Sequence, residues 1–450
     1  MGLLVVLLSS LVAMGAALIA QADDISVSPQ DDLQAQINGA QAGDRLILEA
    51  GLYRGNFVLT QSVELVGKNA AIIDAGNNGH ALKVEARDTV INGLRIQNWG
   101  TNLTNLDAGI FVTPQADNTR ITNNYFQGGG SGIWVDTSPN IKIIANKIEG
   151  DLSLRSSDRG NGIHLFNVSG ALVQDNEVWH SRDGIYIDTS NGNELIGNYL
   201  HDLRYGVHYM YSYRNLIKNN ITENTRTGYA LMQSKYLRVI GNQSKNDANY
   251  GILMNYITYS TLENNRVEGV KNTRHPHMKK QSSGRSSLEG KALFIYNSLF
   301  NKFYNNLFAD SDMGIHLTAG SENNALTGNA FIGNKQQVKY VATRMQDWSH
   351  EGTGNYWSDY LGWDMDGDGI GDVHYEPNDS VDQLLWKYPS AKLLLNSPAV
   401  ETLRWVQRQF PVLAAQGVID SRPLMRIPEQ LAEPPQSHQT AAIAEPLHEQ

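Results

Sequence analysis

A unit of about 22 residues recurs through the middle of the chain, and it constrains the fold more than any other feature. Gly followed by an apolar residue stands at Gly109-Ile110, Gly132-Ile133, Gly162-Ile163, Gly184-Ile185, Gly206-Val207, Gly228-Tyr229, Gly251-Ile252 and Gly314-Ile315. The steps between these glycines are 23, 30, 22, 22, 22, 23 and 63 residues. The last gap resolves when Ala292-Leu293 takes the Gly-Ile place, 22 residues before Gly314. An Asn keeps the same register at Asn124, Asn146, Asn176, Asn198, Asn220, Asn242, Asn265, Asn306 and Asn329. Two units carry insertions, one of 8 residues around Asp151–Arg159 and one of about 19 around Lys271–Gly290.

A unit this short holds two or three strands, none long enough to stand alone. Stacked roughly 4.8 Å apart, each strand gains a neighbour above and below. The expected fold is therefore all-β, a right-handed parallel β-helix of about 12 coils of ~22 residues over 23–345. Alternation places Ile185 and Ile187, Val207 and Tyr209, Ile252 and Met254, and Ile315 and Leu317 inside. A leucine-rich repeat has a similar period, but it needs Leu at its core positions, and here Ile, Val, Tyr and Phe share them. The chain has 41 Gly and a similar number of Asn. Both types accept left-handed backbone, so they are expected at the corners, where Asn side chains can also stack as hydrogen-bonded ladders. Asp31 to Ile37 reads as a short helix capping the first coil's open edge. The following Gly43-Asp44-Arg45-Leu46-Ile47-Leu48 and Gly51-Leu52-Tyr53-Arg54-Gly55 resemble the opening of pectin-lyase-like β-helix proteins.

The absence of Cys excludes a disulfide scaffold, a zinc ribbon, an iron–sulfur cluster and a CxxC motif. A net charge of −10 argues against nucleic acid as a partner. Residues 1–22 read as a secretory signal peptide: Leu3 to Ile19 is apolar or small, and Ala20-Gln21-Ala22 is a cleavage site before Asp23. No Lys or Arg precedes the apolar run, and an uncleaved anchor is the alternative.

Beyond the repeat, 346–382 holds the run Asp364-Met365-Asp366-Gly367-Asp368-Gly369-Ile370-Gly371-Asp372. Asp364, Asp366, Asp368 and Asp372 with Gly367 match a calcium-type loop, though Tyr375 stands where Glu is usual and no flanking helix pair is evident. Calcium there is expected to be structural. Residues 383–427 read as a helical segment that caps the last coil or docks a partner, and 428–450 as a disordered tail.

Two outward constellations carry chemistry. The residues two after each repeat Gly are His164, Tyr186, His208, Ala230, Leu253, Phe294 and His316; those four after include Asp188, Met210 and Met232. Met210 and Met232 fall about 5 Å apart, one strand spacing, and His208 lies roughly 6–7 Å from Met210 on the same face. Two thioethers beside an imidazole suit copper as Cu(I), so His208, Met210 and Met232 are the candidate copper ligands. The alternative is plain packing under a loop. Just before the glycines, Arg182, Arg204 and Arg226 form a ladder near Asp183, Asp202, His180 and His201. Such a ladder could hold a uronate, which would make the protein a polysaccharide lyase, hydrolase or epimerase. It could equally be a solvated salt-bridge ladder with Asp183, Asp202 and Glu223. The insertion at 271–290 is basic and carries His275-Pro276-His277-Met278, a mobile loop or a docking and metal-acquiring one.

Several of these segments carry a family resemblance. They are Arg182-Asp183-Gly184-Ile185-Tyr186, Asp202 through Ser212, Phe294-Ile295-Tyr296-Asn297, Gly314 through Glu322, Gln337 through Val341 and Gly354-Asn355-Tyr356-Trp357-Ser358-Asp359. The Asp-rich loop and Leu384-Leu385-Trp386-Lys387-Tyr388-Pro389 running on to Val400 belong with them. Together they resemble the NosD family, periplasmic accessory proteins of nitrous-oxide reductase. The resemblance implies a periplasmic, non-catalytic maturation factor for the copper–sulfide site of that reductase in denitrification. It implies an ABC transporter as partner, with ATPase NosF and permease NosY, through which the protein associates with the membrane. The reductase and a copper chaperone lipoprotein are the other implied partners, and the cargo is copper or sulfur. The 271–290 insertion departs from the family pattern.

Overall fold

The computed structural model describes residues 22–68, 70–272, 290–318, 320–341, 344–378, 397–409 and 417–432. The segment read as a signal peptide, most of the basic insertion, part of the segment after the Asp-rich loop and the tail from residue 433 lie outside them.

Short strands wind through three parallel sheets of 13, 12 and 13 strands. The architecture is the expected right-handed parallel β-helix. Strands of three to six residues pair only with the coils before and after, as Tyr186↔His208↔Ala230 does in the second sheet. Inward residues close the core: Ile185, Ile187, Val207, Tyr209, Ile315 and Leu317 are fully buried. The third sheet takes its last strand from Tyr356–Trp357, past residue 345.

The asparagines do form a ladder, and it is continuous. Asn124 Nδ2 donates to Asn146 Oδ1 at 3.0 Å, Asn198 to Asn220 at 2.8 Å, and Asn265 to Asn306 at 2.8 Å across the large insertion. Each Oδ1 also accepts the backbone N–H of the preceding rung, as Asn220 Oδ1 does from Asn198 N. Each Nδ2 sends its second proton to a carbonyl, as Asn220 does to Leu195 O. No polar atom of a rung is left unpaired, which is what permits ten primary amides in a dry corner. The ladder ends where Asn355 Nδ2 donates to Asp420 Oδ2 at 3.1 Å.

The left-handed backbone expected of these asparagines sits one residue earlier. Asn123, Ala145, Asp175, Gly197, Asn219, Gly241, Asn264, Asn305 and Gly328 have φ between 52° and 67°. The repeat glycines serve a different need again, close approach. A Cβ on Gly206 would lie 2.4 Å from Thr222 Cγ2 and 2.8 Å from the carbonyl oxygen of Gly228, the next glycine in the column.

Both ends are covered. Helix α1 (Leu33–Gly39), N-capped by the Asp32 side chain on Ala35 N, buries Leu33 and Ile37 over the first coil. At the other end Phe331, Trp357 and Tyr375 stack at 4.3 and 4.6 Å, and Trp357 Nε1 donates to Asp420 at 2.9 Å. Val418–Ile419 pairs with Gln346–Asp347 beside this plug. Helix α2 (Pro398–Gln409) leaves Leu403 and Trp405 exposed. The short helix α3 (Glu429–Ala432) buries Leu431 near Leu307, Ala309 and Ala330. No helix of the described residues is long and apolar enough to cross a membrane.

Candidate functional site

The second sheet presents the outward column in the expected register. Trp134, His164, Tyr186, His208, Ala230, Leu253, Phe294 and His316 follow one another coil by coil. Rings fill its upper part: Trp134–His164, His164–Tyr186 and Tyr186–His208 have centroids 3.8, 4.6 and 4.3 Å apart. The stack stops at Ala230, directly below His208. Two residues further along each strand, Met210 pairs with Met232, and both side chains are half-buried. His208, Met210 and Met232 are therefore brought onto one patch of the same face.

His208 is tied from behind. Its Nδ1 lies 3.0 Å from Asp183 Oδ2, and Asp183 is only 1% exposed. Arg204 closes both oxygens of that carboxylate, Nε to Oδ1 at 2.7 Å and Nη2 to Oδ2 at 2.6 Å. Burial pushes the Asp183 carboxyl up, but the hydrogen bonds from His208 and Arg204 outweigh it and hold it below the usual carboxylate range. An ionised carboxylate only accepts, so Nδ1 carries a proton, and in the neutral imidazole the lone pair is then on Nε2. Nε2 is buried and has no hydrogen-bond partner. A carboxylate fixing one imidazole nitrogen while the other waits for a Lewis acid is the arrangement found behind metal-ligating histidines. Sulfur and imidazole together suit Cu(I), so the donor set fits copper. His164, two coils away, is held by Asn161 Nδ2 at 3.2 Å from its Nδ1, and burial pushes it down to about 3.

The same contacts revise the arginine ladder. Asp183 is a buried anchor, so it belongs to no solvated ion-pair ladder. Arg204 is spent on it and lies over the Tyr205 ring at 4.4 Å. Asp202 instead meets His201 Nδ1 at 2.8 Å, and Glu223 accepts from Tyr199 Oη at 2.8 Å. Arg182 and Arg226 stay in register above and below Arg204. The sequence offered Asp183 and Arg204 as part of a uronate site or of a solvated ion-pair ladder; the structure pairs them, but buried and with His208 as third member.

In the Asp-rich loop, carboxylate oxygens of Asp364, Asp366 and Asp368 all lie within 4.8 Å of one another. Asp372 stands outside that group, its Oδ2 accepting from Met365 N at 2.8 Å. Asp364 takes Gly367 N and Gly369 N, the latter at 2.9 Å, and the backbone N–H of Gly369 holds its carboxyl below the usual range. Three converging carboxylates are hard oxygen donors and fit a calcium ion.

Residues 144–362 match a family described as "Periplasmic copper-binding protein (NosD)". A protein from Pseudomonas aeruginosa, named "Probable ABC transporter binding protein NosD", is 55% identical over 89% of this chain and 92% of its own. A protein of the same name from Stutzerimonas stutzeri is 54% identical over 86% and 87%. Among solved structures, a family 28 exopolygalacturonase from Yersinia enterocolitica superposes with a TM-score of 0.54 over 72% of this chain and 78% of its own. At 12% identity that likeness concerns the fold alone. With more than half of the aligned residues identical to two such relatives along most of their length, the chain belongs to the NosD family.

Proposed function

We propose that the protein is a periplasmic, non-catalytic assembly factor that handles copper for the copper–sulfide site of nitrous-oxide reductase, working with an ABC transporter. His208, Met210 and Met232 are the copper ligands of this reading. The observation that carries it is the His208 imidazole, held through Nδ1 by Asp183 with Nε2 unpartnered, on the strand whose Met210 pairs in register with Met232. The relatives' shared name supports the transporter as partner, with its ATPase and permease as the units engaged. Helix α2, with Leu403 and Trp405 exposed, is the surface offered to the permease within the docking segment 383–427. A copper chaperone lipoprotein supplies the metal. Asp364, Asp366 and Asp368, joined by Asp372, would hold a structural calcium ion that pins the loop beside the C-terminal plug.

The test is a titration of metal-free protein with Cu(I) against a chromophoric chelator. One tight equivalent is expected, lost in the Met210→Ala, Met232→Ala double variant. The reading fails if that double variant still supports a fully copper-loaded, active reductase in cells. Docking fails separately if a chain ending at Asp382 still co-purifies with the transporter. Calcium fails if chelation leaves the melting temperature of the protein unchanged.

A further inference from the structure

The corner that leads from the second sheet to the first changes character over four successive coils. Two residues of this corner are left-handed in nearly every coil. In the earlier coils they are Thr137 and Asn140, Asn167 and Gly170, and Thr189 and Gly192; in the last they are Gly320 and Asn323. Between these, aromatic rings take the same positions: Tyr211, Tyr236, Tyr256, Tyr259 and Phe300 have φ between 50° and 58°. Bulky L-residues rarely adopt that backbone, and where they do the side chain serves something other than the turn. All five are 43–52% exposed. Nothing in the packing of the coil requires them.

Their surroundings are as selective. The segments 210–216, 232–238, 255–261 and 296–302 contain no Asp or Glu, although the chain has 46. They contain Arg214, Lys235, Arg238 and Lys302, all exposed. None of these four forms an ion pair among the described residues, and Arg214 lies over the Tyr236 ring at 5.4 Å. A protein of net charge −10 thus carries a basic, aromatic strip on one edge. The strip is continuous with the methionine pair, since Tyr211 follows Met210 and Gln233 follows Met232.

We infer that this corner is the docking surface for an acidic protein face, that of the copper protein exchanging metal with Met210 and Met232. The inference rests on the copper reading above. Copper passes between proteins by ligand exchange, so the partner's ligands must come within bonding reach of the donor's, and the docking surface must adjoin the methionines. Tyr and Arg are the side chains that anchor protein interfaces, and unpaired basic groups select an acidic partner and speed its approach. An acidic polysaccharide is the competing occupant. Sugars stack on ring faces, and in three of the five rings faces are turned to one another: Tyr236 stacks on Tyr259 at 5.6 Å and 20°, and Tyr259 on Phe300 at 5.1 Å and 6°. A stack that already covers its own faces, flanked by unpaired Arg and Lys, suits a protein surface better than a sugar ring.

The experiment measures binding of the purified chain to metal-free nitrous-oxide reductase and to the copper chaperone lipoprotein, at low and at physiological salt. A Tyr236→Asn, Tyr259→Asn, Phe300→Asn variant borrows the residue found in this column at Asn140 and Asn323, so its fold is retained. It should bind at least one of these partners about tenfold more weakly or worse, with Cu(I) affinity unchanged. Lys235→Glu with Arg238→Glu should weaken binding further at low salt than at high salt. Wild-type binding that neither variant alters overturns the docking inference and leaves the copper reading standing. Tight Cu(I) binding with no association to either protein also overturns docking alone. Failure to bind Cu(I) at all removes the copper reading and this inference with it. Binding of oligouronates that the triple variant abolishes would make the strip a polysaccharide surface instead.

Discussion

The corner between the first and third sheets and the corner between the second and first both hold left-handed residues and buried, paired polar side chains coil after coil, yet they differ in what dominates them. At the first, the residue after the left-handed one is Asn in nine rungs, and Asn355 makes a tenth, all buried and each amide joined to the next. At the second, small and polar residues give way to exposed Tyr, Arg and Phe over four coils. Hydrogen-bond accounting dictates the first: an amide sealed from water must be paired, and few side chains offer both a donor and an acceptor in that geometry. The second corner has paired residues of its own, buried Ser212 and Asn215 among them, but its left-handed positions face water, and the fold leaves the side chains there open to other demands. Aromatic rings there therefore speak of binding, while Asn in the other corner speaks of stability.

Substitutions can break this contrast. The largest effect is expected from Asn220→Ala, which strips Asn198 of the acceptor for both its N and its Nδ2 and leaves Leu195 O without its donor. At about 1–3 kcal/mol for each unmet buried group, a loss of about 3 kcal/mol or more should appear as a lower urea midpoint. A midpoint within error of wild type would show that the ladder ornaments the fold and does not hold it.

The next largest concerns a buried acid inside the coil. Asp247 accepts from Ser244 Oγ, Thr225 N, Thr225 Oγ1 and Thr222 Oγ1, all neutral donors. Burial pushes its carboxyl up to about 6. A group raised above its unfolded value favours the folded state fully below the unfolded value near 3.8, and that contribution is lost as pH rises through about 6. Asp247→Asn should thus stabilise the protein by ~2 kcal/mol at pH 8 and flatten the rise in stability on acidification from pH 7 to pH 4. Equal pH dependence in the variant would count against it.

Asp183→Asn should keep the solenoid but free the His208 ring to take the wrong tautomer. Cu(I) affinity is expected to fall roughly 10- to 100-fold, read by chelator competition. An unchanged affinity would mean that His208 is not a ligand or is not oriented by Asp183. The smallest effect is expected from Tyr259→Asn, whose relief of left-handed strain and loss of ring stacking nearly offset, leaving stability within about 1 kcal/mol. A large destabilisation there would erase the distinction between the two corners.

Much of this was legible in the sequence because solenoids are written in one dimension. The spacing of 22 put Met210 against Met232 and His208 between Tyr186 and Ala230 without any coordinates. The Asn register announced the ladder for the same reason. The Asp183–Arg204–His208 cluster was not legible: Asp183 and Arg204 lie 21 residues apart on different coils, and only packing decides that the carboxylate turns inward. The shift of left-handed backbone to the residue before each Asn also escaped, since Asn at either position gives the same composition. The aromatic strip did leave a signal, aromatic residues five or eight positions after the repeat Gly, as Tyr256 and Tyr259 stand after Gly251. These positions lie outside the period-2 alternation of the strands, so nothing in that pattern marks them.

The asparagine ladder also makes the molecule a ruler. Asn265 and Asn306 are 41 residues apart in sequence but one rung apart in space, the same step as Asn198 to Asn220. Height along the axis is thus counted in rungs and is indifferent to what an insertion adds outside. From Asn220, in the coil of His208, five rungs lead to Asn355 at the C-terminal plug, about 24 Å at a strand spacing of 4.8 Å. Lengthening the loop at 271–290 leaves that height untouched, whereas removing one 22-residue unit between them would bring the face of His208 and Met210 nearer the plug by a fixed ~4.8 Å.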